Sequence, residues 1–197
     1  MRETKVMYPE IAVRELVANA LVHQDFYEKG SSPLIEIYSD RIEITNPGIP
    51  LISPERFIDE YQSRNEVLSS VLRRLGICEK KGSGMDKVVF NIELYQLPAY
   101  DVRVKEKHTV AILFAHKILS DMDKNERIRA CYQHCCLRYV MNEKTTNQSV
   151  RERFKIVDSN YPIASKIIKE TLQSDLIKEG EAKNQSNRSI NYIPFWA

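Results

Sequence analysis

Glu15-Leu16-Val17-Ala18-Asn19-Ala20-Leu21-Val22-His23-Gln24-Asp25 is the stretch whose reading decides the fold. Glu15, Asn19 and His23 stand four residues apart, a spacing that lines three polar groups along one face of a helix. Leu16, Val17, Ala20 and Leu21 supply an apolar face suited to packing on a sheet. A polar row backed by an apolar row fits two descriptions. One is a solvated helix surface. The other is a binding row held on a scaffold.

Upstream, Tyr8-Pro9-Glu10 opens the helix, with Pro9 suited to its first turn. Downstream, Glu28-Lys29-Gly30-Ser31-Ser32-Pro33 breaks it. Leu34–Tyr38 and Arg41–Thr45 then alternate with period two around Ser39-Asp40 and read as a hairpin. Ile35, Ile37, Ile42 and Ile44 are expected on its core face. The second strand runs into the turn Asn46-Pro47-Gly48-Ile49-Pro50. Ser53-Pro54 suggests a capped short helix over Pro54–Tyr61. A second helix is expected over Asn65–Leu75, with Val67, Leu68, Val71, Leu72 and Leu75 on one face. Lys81-Gly82-Ser83-Gly84 precedes a helix from Met85 to Tyr95. A glycine-rich turn at a helix start can hold anions through free backbone N–H groups. Strands over Tyr100–Lys105 and His108–Ala115 complete this part.

Composition sets outer bounds. The 197 residues suffice for one large or two small domains, and 43% hydrophobic with 28% charged residues is ordinary for a globular chain. No apolar run reaches membrane-spanning length and no signal peptide opens the sequence, so a cytoplasmic protein without a membrane partner is expected. Charge is uneven: from Lys117 onward 14 Lys and Arg face 10 Asp and Glu, a net of +4. Of 29 and 27 in the whole chain, that leaves 15 against 17 before Lys117, a net of −2. A basic C-terminal part hints at nucleic acid.

Lys117–Asn125 is polar and marks the expected domain boundary. A helix over Asn125–Met141 repeats Ile128, Cys131, Tyr132, Cys135 and Tyr139 at helical spacing. Cys131, His134, Cys135 and Cys136 raise the question of zinc. Their spacing is not that of common zinc sites, so the cysteines read as small core residues and no zinc is expected. Thr145 and Gln148 fit a capping box ahead of a helix over Asn147–Phe154. A helix over Pro162–Ser174 buries Ile163, Ala164, Ile167, Ile168 and Leu172. Two strands follow, from Leu176 and from Ser189.

Three elements occur in the order of the nucleotide boxes of the GHKL ATPases: Glu15-x-x-x-Asn19-Ala20, Asn46-Pro47-Gly48-Ile49-Pro50 and Gly82-Ser83-Gly84-Met85. The longer run from Tyr8 through Arg14 to Phe26 resembles the RecG-related transcriptional regulators. So does the ending Ile190-Asn191-Tyr192-Ile193-Pro194-Phe195-Trp196-Ala197. The resemblance implies an α+β protein: a GHKL (Bergerat-like) α/β sandwich over residues 1–117, then a winged helix-turn-helix domain over 124–197. It implies ATP or ADP with Mg²⁺ as ligand. Glu15 would be the general base and Asn19 the metal ligand, with Asn46, Gly48, Gly82, Ser83 and Gly84 around the nucleotide. Active relatives carry aspartate where Asn46 stands, followed by two spaced glycines; here Gly48 alone follows. Nucleotide sensing or a degenerate scaffold is therefore expected ahead of ATP turnover or phosphotransfer.

For the second domain the resemblance implies double-stranded DNA as partner. The helix from Pro162 would enter the major groove. Ser159, Asn160, Ser165, Lys166 and Lys169 would face the DNA, and Arg151 and Arg153 would touch phosphates. Lys183 and Arg188 would lie on the wing. A homodimer and an upstream AlbA/Schlafen-like domain are further implied. A protein-interaction or dimerisation module remains the alternative for both domains.

Overall fold

The computed structural model describes residues 7–77, 82, 84–180 and 190–197. It divides into two compact units, Met1–His116 and Lys117–Ala197.

The first unit is a four-stranded antiparallel sheet with helices on it. Helix α1 (Glu10–His23) leads into strands β1 (Leu34–Ile37) and β2 (Arg41–Pro47). Helices α2 (Glu66–Arg74) and α3 (Gly84–Leu94) follow, then β3 (Asp101–Val104) and β4 (His108–Phe114). The strand order is β1-β2-β4-β3. α1 packs on both α3 and β2. Ala12, Leu16, Ala18, Ala20 and Val22 are all buried, so small residues on several sides let α1 sit between neighbours. In β2, Ile42 and Ile44 alternate into the core.

Two expectations fail at this unit's margins. Ile35 and Ile37 pair with Ile44 and Ile42 and so share their face. Both are nevertheless exposed, Ile37 by 76%. β1 is the edge strand, whereas α1 packs over its neighbour β2. The helix expected over Pro54–Tyr61 shrinks to a single 3₁₀ turn, Pro54–Arg56. The Ser53 hydroxyl bonds the Glu55 carboxylate instead of capping a backbone N–H.

The second unit contains α4 (Lys124–Val140), α5 (Asn147–Phe154) and α6 (Tyr161–Leu172), then the antiparallel pair β5 (Ile177–Glu179) and β6 (Tyr192–Pro194). Asp123 and Glu126 form a reciprocal capping box at the start of α4. At α5 the box is one residue later than the sequence suggests. Thr146 caps and Ser149 reciprocates. Thr145 is buried instead and bridges to Tyr192. The strand pairing at this bridge fixes Thr145 inward and leaves its neighbour to cap. Ile163, expected in the core, is exposed.

Candidate functional site

α1 brings its polar row to a cavity of about 140 Å³ in the first unit. Glu15, Asn19 and His23 all line it. Glu15 is only 2% exposed, so this face of the helix is not a solvated surface. Gly84 explains how the carboxylate fits. A Cβ at Gly84 would lie 3.0 Å from Glu15 Oε2. The first turn of α3 thus comes close to the carboxylate, and a side chain at Gly84 would crowd it. Arg14 Nη2 stands 3.5 Å from Glu15 Oε1.

Asn19 Nδ2 donates to Met85 Sδ at 3.2 Å, which leaves the amide oxygen for a ligand. A carboxylate and an amide oxygen one turn apart are hard donors of the kind Mg²⁺ takes beside phosphate oxygens. The residues present therefore fit that ion.

The Asn46–Pro50 turn forms another part of the wall. Asn46 lines the cavity, and its Nδ2 reaches Pro47 O at 3.4 Å. It pairs across the sheet with Thr109, whose hydroxyl donates to Gly48 O at 2.8 Å. Gly48 has φ +96°, and a Cβ there would meet Asp25 Cβ at 2.8 Å. Gly48 is thus required both by its backbone and by its neighbour. Asp25 also holds this turn: its N–H donates to Pro47 O at 2.8 Å. Its carboxylate receives Arg64 Nη1 at 2.8 Å, while Arg64 Nη2 donates to Ile49 O at 2.6 Å. Asn65 donates to Val22 O and Gln24 O at 2.9 and 2.8 Å and so closes the C-terminus of α1.

Arg64, Tyr61, Ser69 and Arg73 also line the cavity, and sequence reasoning did not select them. Ser69 and Arg73 carry a faint signal, a polar i, i+4 pair on α2. Arg73 Nη1 donates to the Ser69 hydroxyl at 3.0 Å. Burial pushes the Tyr61 phenol up, but hydrogen bonds from Ser69, Ser63 and Arg73 outweigh it and bring the phenol below its ordinary range. Burial, followed by the charge of Arg64, lowers the His23 pKa and favours the neutral ring. The cavity therefore joins an acidic wall from α1 to a cationic wall that includes Arg64 and Arg73. Gly82 lines it too, with φ +85°. Ser83 lies outside the described residues.

In the second unit, Ser159, Asn160, Ser165, Lys166 and Lys169 are exposed. Asn147 Nδ2 donates to Ser165 Oγ at 2.9 Å, joining α5 to α6. Two arginines depart from the expected phosphate-facing role. Arg153 is 5% exposed with its guanidinium 5.6 Å from the Phe154 ring, so packing withdraws it from the surface. Arg151 bonds Asn147 Oδ1 at 3.1 Å and pairs with Asp158, which holds it along the helix turn. Lys183 and Arg188 lie outside the described residues. Cys131, His134, Cys135 and Cys136 are buried. Among the described residues no group of three His, Cys, Asp or Glu side chains gathers to hold a metal. No described helix is long and apolar enough to cross a membrane.

Residues 30–113 match the model of a family described as "Putative ATP-dependent DNA helicase recG C-terminal". This part of the first unit is thus similar to a RecG-related family, and the unit's mixed α+β architecture is compatible with a GHKL-like domain. Glu15 and Asn19 lie upstream of the matched residues. Among solved structures, the chain is similar to the DIP2311 protein from Corynebacterium diphtheriae, with 17% identity and a TM-score of 0.54. That likeness covers 95% of this chain and 39% of the other, so the present chain spans about two fifths of that protein's length. At this identity it speaks to fold alone. No curated protein matches the chain.

Proposed function

We propose that the first unit binds ATP or ADP with Mg²⁺ and that the second binds duplex DNA, together forming a nucleotide-responsive transcriptional regulator of the cytoplasm. The observation that carries the first half is a buried carboxylate, Glu15, beside Asn19 on the wall of a cavity that also holds Arg64 and Arg73. Keeping a carboxylate out of water is costly, and a cation bound beside it would offset that cost. Asn19 would hold the ion through its amide oxygen, and Gly84 keeps the space that Glu15 needs. When bound, Mg²⁺ supplies charge neutralisation at the phosphates. Asn46 would accept from or donate to the base.

The DNA half is supported by the basic excess after Lys117 and the exposed Lys166 and Lys169 on α6. Three helices followed by an antiparallel strand pair resemble a winged helix, with α6 as the element for the major groove.

Titration calorimetry with ATP and ADP, with and without Mg²⁺, tests the pocket. Binding that Glu15→Gln with Asn19→Ala removes supports the reading; absence of binding overturns it. Duplex binding should weaken steeply with salt and vanish in Lys166→Glu with Lys169→Glu. No duplex binding at low salt overturns the second half. A second reading, hydrolysis with Glu15 as general base, is favoured by the burial of that carboxylate. Phosphate release that Glu15→Gln leaves unchanged overturns it.

A further inference from the structure

Arg64 and Arg73 both line the cavity, but they are not equivalent. Arg64 is spent on the fold. Its Nη1 pairs with Asp25 at 2.8 Å and its Nη2 donates to Ile49 O at 2.6 Å, so its charge is countered. Arg73 makes neutral contacts instead. Its Nη1 donates to the Ser69 hydroxyl at 3.0 Å, and it also hydrogen-bonds the Tyr61 phenol. Glu60 lines the cavity as well, but it pairs with Arg56 Nη2 at 3.0 Å. Among the described residues no carboxylate pairs with Arg73.

Arg73 is half-buried. A guanidinium drawn partly out of water with no counter-charge is costly, and an anion beside it offsets that cost. The donors left on its planar fork suit two oxygens of one oxyanion. Ser69 and Tyr61 extend the fork into a cradle. Ser69 is 4% exposed, and its hydroxyl lies 3.4 Å from Tyr61 OH. The phenol reports on its surroundings: it ionises below its ordinary range despite burial, so this part of the cavity favours negative charge on an oxygen.

We infer that Arg73, Ser69 and Tyr61 form an oxyanion subsite in the cavity, and that it takes a phosphate group, either on a nucleotide's phosphate chain or free as inorganic pyrophosphate. A tetrahedral phosphate offers oxygens to the fork and to two hydroxyls at once, whereas a carboxylate's two oxygens are filled by the fork alone. The subsite rests on the nucleotide reading of the cavity for the carrier of that phosphate, and not for the phosphate itself. Arg64 holds the wall, and Arg73 holds the ligand.

Titration calorimetry of the full chain with inorganic pyrophosphate, and separately with ATP, tests the subsite. The wild type should bind both. Arg73→Ala should weaken each by about tenfold or more. Arg73→Lys keeps the charge without the fork and should recover only part of the affinity. Tyr61→Phe should weaken both anions by a smaller factor and remains informative if Arg73→Ala fails to fold. Pyrophosphate binding that Arg73→Ala removes, in a chain that ATP does not bind more tightly, supports the subsite and counts against the nucleotide. ATP binding that all three variants leave unchanged overturns the subsite while the nucleotide reading stands. A wild type that binds neither anion overturns both. Arg73→Ala that lowers the melting temperature but leaves pyrophosphate affinity intact also overturns the subsite, and makes Arg73 a structural group.

Discussion

Helices α1 and α4 carry chemically suggestive groups at similar spacing, and their fates differ. On α1, Glu15, Asn19 and His23 border a cavity. On α4, Cys131, His134, Cys135 and Cys136 are packed shut. α4 is closed by α5, α6 and β6, and the chain end adds a further layer. There Trp196 Nε1 donates to Tyr132 OH at 3.2 Å and the indole meets Tyr139 edge-on. α1 packs on α3 and β2, and the turn after β2 and the start of α3 border the cavity along its polar row. Residue type and spacing nominate a site; a cavity lets it meet a ligand.

The sharpest test of the closed helix is thiol reactivity. Burial pushes the Cys135 thiol up to about 12. Alkylation at Cys135 near pH 8, followed by peptide mass mapping, should be slower in the native than in the unfolded chain by about a thousandfold or more. Equal rates would place Cys135 in contact with solvent and break the comparison.

The open helix depends on a tightly built rim. Gly48→Ala puts a Cβ 2.8 Å from Asp25 Cβ at φ +96° and should cost about 3 kcal/mol, read as a lower denaturant midpoint. A loss well under 1 kcal/mol would mean that the turn after β2 yields easily and does not set the cavity wall.

Glu15→Gln should behave in the opposite way. Removing a buried charge while keeping its shape should alter stability by less than about 1 kcal/mol or raise it. The same variant should lose the rise in melting temperature expected of the wild type with Mg²⁺ and ATP. A large loss of stability without ligand would instead mark Glu15 as a structural group.

The smallest effect is the pH dependence from His23. Its pKa is lowered in the fold, so the unfolded chain binds the proton more readily. Stability should therefore fall as pH drops from the ordinary histidine range through the lowered folded pKa, and His23 should contribute nothing above that range. The difference in unfolding free energy between wild type and His23→Gln isolates this slope. A difference that is flat across mildly acidic pH would remove His23 from the buried wall of the cavity.

Much of the first unit was legible because its signals are local. The alternation of Arg41–Thr45 marks β2, and the four-residue spacing on α1 sets Glu15, Asn19 and His23 on one face. Gly48 and Gly84 stand where backbone must approach closely. What was missed depends on distant partners. Arg64 gains meaning from Asp25 and Ile49 O, and Thr109 from Gly48 O, contacts that no periodicity announces. Arg153 reads as a surface cation until packing buries it. Ile35 and Ile37 read as core until the strand order leaves β1 at the edge.

By itself, then, the sequence determined the six described α-helices, the strand pattern, the order of the polar and glycine elements and the basic balance of the second half. These follow from side-chain period, backbone stereochemistry and charge, which act over a few residues. Tertiary structure alone decided that the polar row of α1 borders a cavity, that the cysteines of α4 do not, and that α2 turns its polar side inward. Those outcomes depend on which elements pack over each face, and close packing of segments far apart in sequence decides that.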